Sequence, residues 1–190
     1  MSRVDLPDVP ADLLEERGWS LSEERAETVF DGLGVSVSAH SCIYEDAALR
    51  ERVAEASGHD RIWRFFFCSR LDITPSPGFG MASVAKPHVV RESKKKFADD
   101  LRDRGFTDVV HRDTETVRLG DGTRARLTPY RAQITIEGEA IHVVGALAVW
   151  HDSEFIIAGG AYPKRGLDRW ADTDPDAYES ELLELIRAAG

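Results

Sequence analysis

The chain has 190 residues, 42% of them hydrophobic, with 34 acidic residues against 24 basic ones and a formal net charge of −10. That length and apolar content suit one domain (residues 1–190) around one sizeable core. The acid excess and the lack of a broad basic face argue against nucleic acid as a partner. No apolar run approaches the roughly 20 residues that cross a bilayer, so no membrane partner is expected.

The opening stretch, MSRVDLPDVPADLLEERGW, has neither an apolar h-region nor a lipid-attachment cysteine, which points to a cytoplasmic location. A short helix is predicted over residues 10–17, with Pro10 near its start and Gly18 after its end. Two strands between Trp19 and Tyr44 flank the turn signal DGLG. In EDAALRERVAEASG, Leu49 and Val53 fall on one helical face and Gly58 suits the C-cap. RIWRFFFCSRLDI, residues 61–73, puts aromatic side chains on both alternating faces, as a strand covered on both sides requires. TPSPGFGMASVAK reads as a loop over residues 74–86, mobile through its Gly, Pro and Ser and able to gate a site. The longest helix follows from Pro87, with Val90, Phe97 and Leu101 along one side and Gly105 at its end.

β signals then run through residues 107–119, 123–136, 140–151 and 154–162, parted by GDG, EGE and DS. Breaks this short specify an antiparallel meander. Along 141–149 both alternating residue sets are largely apolar, so both faces need cover. DPDAYESELLELIRAAG closes the chain as an amphipathic helix with Asp174 as N-cap. The predicted fold is α+β: a three-layer sandwich whose mostly antiparallel sheet ends in a four-strand meander, with helices on both faces.

If Asp152 and Ser153 form the last turn, His151 pairs with Glu154 and Gly145 with Gly160. If Glu137 and Gly138 form the one before, Tyr130 pairs with Gly145, Arg126 with Val149 and Arg124 with His151. Pro129 marks a place where a bulge could shift this register. On this register Arg124, Arg126, His151 and Glu154 share one face at the end of the sheet. Tyr130 covers Gly145 within a floor of small residues (Gly145, Ala146, Ala148, Ala158, Gly159, Gly160, Ala161). Such a floor admits a closely packed helix or leaves a hollow for a ligand. Tyr130, Arg124, Arg126, His151 and Glu154 are accordingly the candidate ligand-binding residues, with the His151-Asp152 pair otherwise a solvated hairpin tip. No catalytic residue, metal site or cofactor is assigned. His151 lacks a nucleophile held against it, and His40, His59, His88, His111 and His142 lack metal-ligand spacing. GFGMAS has strand–helix context but neither the third glycine nor the Lys-Ser/Thr ending of a phosphate loop. Lys94, Lys95 and Lys96, with Arg91, form the one basic cluster, a solvated helix face or an anion or partner contact. Cys42 and Cys68 read as small core residues of a reducing compartment.

Lysine occurs at only five positions, 86, 94, 95, 96 and 164, and arginine supplies the other cations. Acid excess with arginine favoured over lysine suits a salt-rich cytosol and resembles the composition of haloarchaeal proteins. The element order, carried by RIWRFFFCSRL, VVRESKKKFADDLRDRGF and AIHVVGALAVWHDSEFIIAGGAYP, resembles the Mog1/PsbP-like α+β sandwiches. That resemblance implies a protein acting by binding other proteins. The expectation is a non-enzymatic cytoplasmic binding or accessory protein of a halophile, with a protein partner or a homodimer closed through a sheet edge or face. The alternative is a small ligand-binding protein or enzyme with its pocket over the Gly/Ala floor, gated by residues 74–86.

Overall fold

The computed structural model describes residues 6–190, with residues 77 and 79 excepted. Helix α1 (Ala11–Glu16) leads into an antiparallel hairpin of β1 (Ser20–Gly32) and β2 (Val35–Glu45). Its two-residue turn, Leu33-Gly34, has both φ angles positive (54° and 77°), the mirror-image geometry whose twist matches its strands. Helix α2 (Ala47–Ser57) is capped as its sequence asks: the Asp46 carboxylate accepts from the Leu49 N–H, and left-handed Gly58 donates to the Ala54 carbonyl.

β3 (Phe65–Thr74) precedes the long helix α3 (Met81–Asp103), and residues 61–64 lie outside the strand. The expected loop over 74–86 is therefore corrected. Met81–Lys86 are helical, Thr74 ends β3, and Pro77 and Phe79 lie outside the described residues. Pro87 sits inside the helix rather than in its first turn. It forfeits one hydrogen bond, to the Ser83 carbonyl.

The meander comprises β4 (Thr107–His111), β5 (Glu115–Arg118), β6 (Arg124–Ile136), β7 (Glu139–His151) and β8 (Phe155–Arg165), and α4 (Pro175–Ala188) closes the chain. The stretch read as one strand over 107–119 is two, both paired with β6. Pro129 explains the division. Its carbonyl accepts from the Arg112 N–H on that side, but it has no N–H to return. The irregularity expected at Pro129 thus falls on its partner, while β6 and β7 stay in register, with Pro129 opposite Ala146 and Tyr130 opposite Gly145.

All eight strands form one antiparallel sheet in the order β1-β2-β3-β8-β7-β6-β4, with β5 also on β6. One core lies between the sheet and α1 and α4, around Phe66, Ala148, Trp150 and Leu185. The other lies between the sheet and α2 and α3, around Leu49, Phe65, Phe97 and Tyr130. The chain is an α+β three-layer sandwich. β1, an edge strand, contains no buried residue.

Candidate functional site

Of the expected cluster of Tyr130, Arg124, Arg126, His151 and Glu154, the structure keeps Tyr130 and Arg126 on the His151 face of the sheet and removes Glu154 from it. The last turn holds three residues, not two, because the Asp152 N–H closes on the Glu154 carbonyl at 3.2 Å. His151 consequently pairs with Phe155, and Gly145 with Ala161. One extra turn residue exchanges the faces of the whole following strand. Phe155 lies edge-on to the His151 ring at 4.7 Å, while Glu154 meets Arg70 at 2.6 Å. Arg70 lies opposite Ile156, a residue of the α4-side core, so Glu154 and His151 part company.

Tyr130 is fully buried beneath α3. Its ring stands edge-on to Phe97 at 4.8 Å and its hydroxyl donates to the Lys94 carbonyl at 3.1 Å. Burial pushes its pKa up, so it stays a neutral donor. Arg126 donates to Thr116 Oγ1 at 3.0 Å, and Arg124 is exposed, its carbonyl 3.5 Å from Lys86 Nζ.

Among the described residues, backbone and side chains already occupy the space over Gly145 and Gly160 in the floor of small residues. A Cβ on Gly145 would stand 2.9 Å from the Gly160 carbonyl and 3.4 Å from Phe97. One on Gly160 would stand 2.2 Å from the Phe65 carbonyl and 2.8 Å from Leu182 of α4. The glycines let helices approach both faces, which fills the space the alternative reading needed.

The open space begins beside this floor and extends over the adjoining strands β3, β2 and β1. α3 buries only Phe97, Ala98 and Leu101, near its C-terminus. Its earlier turns face the sheet with Ala82, Ala85 and Val89, side chains too small to fill the space beneath the helix as Phe97 does. A groove of about 1050 Å³ remains between α3 and the faces of β1, β2 and β3. Its walls are apolar, with Val37, Ile43, Phe67, Leu71, Val89 and Phe97 prominent, and Leu147 and Ile157 deep within it. From Ala85 to Arg104 it follows α3 for about 28 Å, at 1.5 Å per residue.

Charged residues stand along its banks, Arg25, His88, Glu92, Asp100 and Asp103 among them, and three further polar features bear on what it could hold. Ser41 and Ser69, directly opposite on β2 and β3, place their hydroxyls 2.6 Å apart. One donates to the other, which leaves the second hydroxyl hydrogen to offer elsewhere. At the α3 C-terminal end, Arg104 lies 4.6 Å over the Phe65 ring and forms no ion pair among the described residues; burial holds its pKa below the ordinary guanidinium range. Lys96 of α3 reaches Glu27 of β1 at 3.5 Å, one ion pair clasping the groove's two banks. At the opposite end the rim is apolar and exposed, with Phe30 and Leu33 from the hairpin tip, and Met81 and Val84 at the start of α3 are exposed as well.

Sequence reasoning also missed Arg64, taken as part of the aromatic strand. It is 5% exposed, between Asp46 Oδ2 at 3.2 Å and Glu181 Oε2 at 2.7 Å, with its guanidinium over the rings of Trp19 and Tyr178. Trp19 Nε1 donates to the other Glu181 oxygen at 2.6 Å. This knot ties α2 and α4 to the residues entering β1 and β3, and its tight pairing marks it as structural. Cys42 and Cys68, separated in sequence, are cross-strand partners, both buried and reduced.

Residues 6–190 match the model of a domain family of unknown function, DUF6517, and the chain belongs to that family. No curated protein and no solved structure matches it.

Proposed function

We propose that this DUF6517 chain is a non-enzymatic binding protein that holds an elongated, amphiphilic small molecule in the groove between α3 and β1–β3. The observation that carries this reading is the groove itself, at the upper end of the range of small-molecule sites and apolar along most of its length. The Ser41–Ser69 hydroxyl pair suits an oxygen partway along such a ligand, and Arg104, which forms no ion pair among the described residues although Asp100 and Asp103 line the groove near it, suits an acidic head. The pocket expected over the Gly/Ala floor is thus moved to the neighbouring strands. A helix takes the place of much of the expected gating loop, so access runs through the apolar rim at Phe30 and Leu33. A cytoplasmic, salt-rich setting and a kinship with the Mog1/PsbP-like sandwiches remain part of this proposal, supported by composition and element order.

Titration with an environment-sensitive fluorescent fatty acid tests it, with Val37→Trp and Val89→Trp narrowing the groove from opposite banks. One-to-one binding that falls at least about tenfold in both folded variants is expected; undiminished binding in both would sink the reading.

One observation favours a second reading. Leu33 is 101% exposed and Val84 72%, and exposed apolar residues of this kind also dock protein partners. Leu33→Asp with Val84→Asp would then abolish partner capture while fatty-acid binding persists.

A further inference from the structure

A second groove, of about 740 Å³, runs along the opposite flank of α3, against the edge of the sheet at His111, Thr114 and Arg126. Lys86, Arg91, Lys94, Lys95, Arg102 and Arg126 all line it, and no carboxylate does. We infer that this groove is an anion site for a small molecule bearing a phosphoryl or polyphosphoryl group.

Charge distribution supports this first. In a chain of net charge −10, six permanent cations converge on one groove. Among the described residues, Lys86, Lys94, Lys95 and Arg126 form no ion pair, whereas Lys96 and Lys164 elsewhere each meet two carboxylates. Arg91 pairs with Glu92 at 3.1 Å and Arg102 with Asp99 at 2.8 Å, both at exposed positions, so the four cations left without counter-charge are the ones that repel one another, and a bound anion removes that repulsion.

Residue choice supports it next. The chain uses arginine almost everywhere, yet three of its five lysines line this groove. Lysine is a compact, strongly hydrated point charge with rotatable donors, well suited to phosphate oxygens. Neutral partners hold these cations in place. Lys94 Nζ donates to Thr114 Oγ1 at 3.3 Å, and Thr114 is braced by the buried Thr128 hydroxyl at 2.8 Å. The Tyr130 hydroxyl anchors the Lys94 backbone from below. Neutral contacts orient a charge without cancelling it.

Size and surroundings choose the ligand class. The groove has the volume of a small-molecule site. Glu92, Asp99, Asp113 and Glu115, all exposed, adjoin its lining residues in the chain. They would repel a long polyanion such as a nucleic-acid strand or an acidic peptide, but leave room for a compact anion. Pro87, Val90 and Ala98 offer an apolar strip for its uncharged part.

The test is calorimetric titration with inorganic tripolyphosphate, at a KCl concentration where circular dichroism shows the chain folded. Single-site binding is expected, weakened about tenfold or more by Lys94→Ala with Arg126→Ala, and retained in Val89→Trp. Hydrogen exchange on the unmodified protein gives an independent readout, with slowing in residues 86–95 and 111–116 when tripolyphosphate binds. Unchanged affinity in the folded double variant would overturn the proposal. So would equal affinity for a poly-glutamate peptide or an oligonucleotide, or absence of slowing in those segments. Because Val89 faces the other groove, loss of fatty-acid binding and loss of tripolyphosphate binding are separate outcomes.

Discussion

Arg64 carries more of the fold than any residue its neighbourhood advertises, since one guanidinium joins Asp46, Glu181, Trp19 and Tyr178. Arg64→Met should destabilise the protein by about 3 kcal/mol, because it strands two poorly exposed carboxylates. Urea melts would measure this, and a loss below about 1 kcal/mol would contradict it. Nothing in RIWRFFF distinguishes Arg64 from an exposed arginine, because its partners come from distant segments. The glycines were more legible. Tyr130 opposite Gly145 follows from a two-residue turn at Glu137-Gly138, while the His151–Glu154 pairing failed on the one uncounted residue in the next turn. Gly160→Val should destabilise by at least about 2 kcal/mol, since its new side chain would meet the backbone of β3 and Leu182 together. Cys68 gives a pH dependence. Burial raises its thiol from an ordinary value of 9.0 to about 12, and burial also raises Cys42. The unfolded chain therefore releases these protons first as pH rises. Stability should hold below about pH 9 and decline toward pH 12, less steeply in Cys68→Ala. Denaturant melts from pH 8 upward would show no such difference if the thiol were solvated.

Among the elements, α3 determines where both grooves lie. Its apolar spacing was readable from Val90 to Leu101, but its true start was hidden because Pro87 is an equally good first-turn residue. Helix-forming MASVAK before it is the overlooked signal. The grooves themselves had no sequence signature, since they depend on how much of the space between helix and sheet the small side chains of Ala82, Ala85 and Val89 leave unfilled. Pro87→Ala restores the N–H that the Ser83 carbonyl lacks. It should stabilise the protein by about 1 kcal/mol or more, read as a higher Tm. A lower Tm would mean that the Pro87 ring is itself needed for packing.

At the scale of the whole molecule, layer order and the antiparallel meander were legible because short turns and two-sided apolar strands leave few alternatives. Net charge adds a prediction that no single contact contains. Carboxylates dense on helices such as α1 and α4 repel one another over roughly 30 Å at low ionic strength and about 3 Å at molar salt. The compact fold concentrates this charge, so Tm should climb with KCl into the molar range, with partial unfolding near salt-free conditions. Thermal melts that stay flat above about 0.1 M, where screening already reaches about 10 Å, would remove the halophile reading.

The outer margin of the sheet turns the same screening against the molecule. β1 offers an unpaired row of backbone groups over 13 residues, guarded chiefly by Glu23, Glu24, Glu27 and Asp31. Two such margins repel in dilute buffer, but molar KCl silences the guard while leaving the hydrogen-bonding template intact. Conformational stability and colloidal stability should therefore respond to salt in opposite directions. Sedimentation at rising KCl should reveal concentration-dependent pairing that Thr28→Pro, on the margin, prevents. At molar KCl only shape opposes that pairing, through the register breaks of β1.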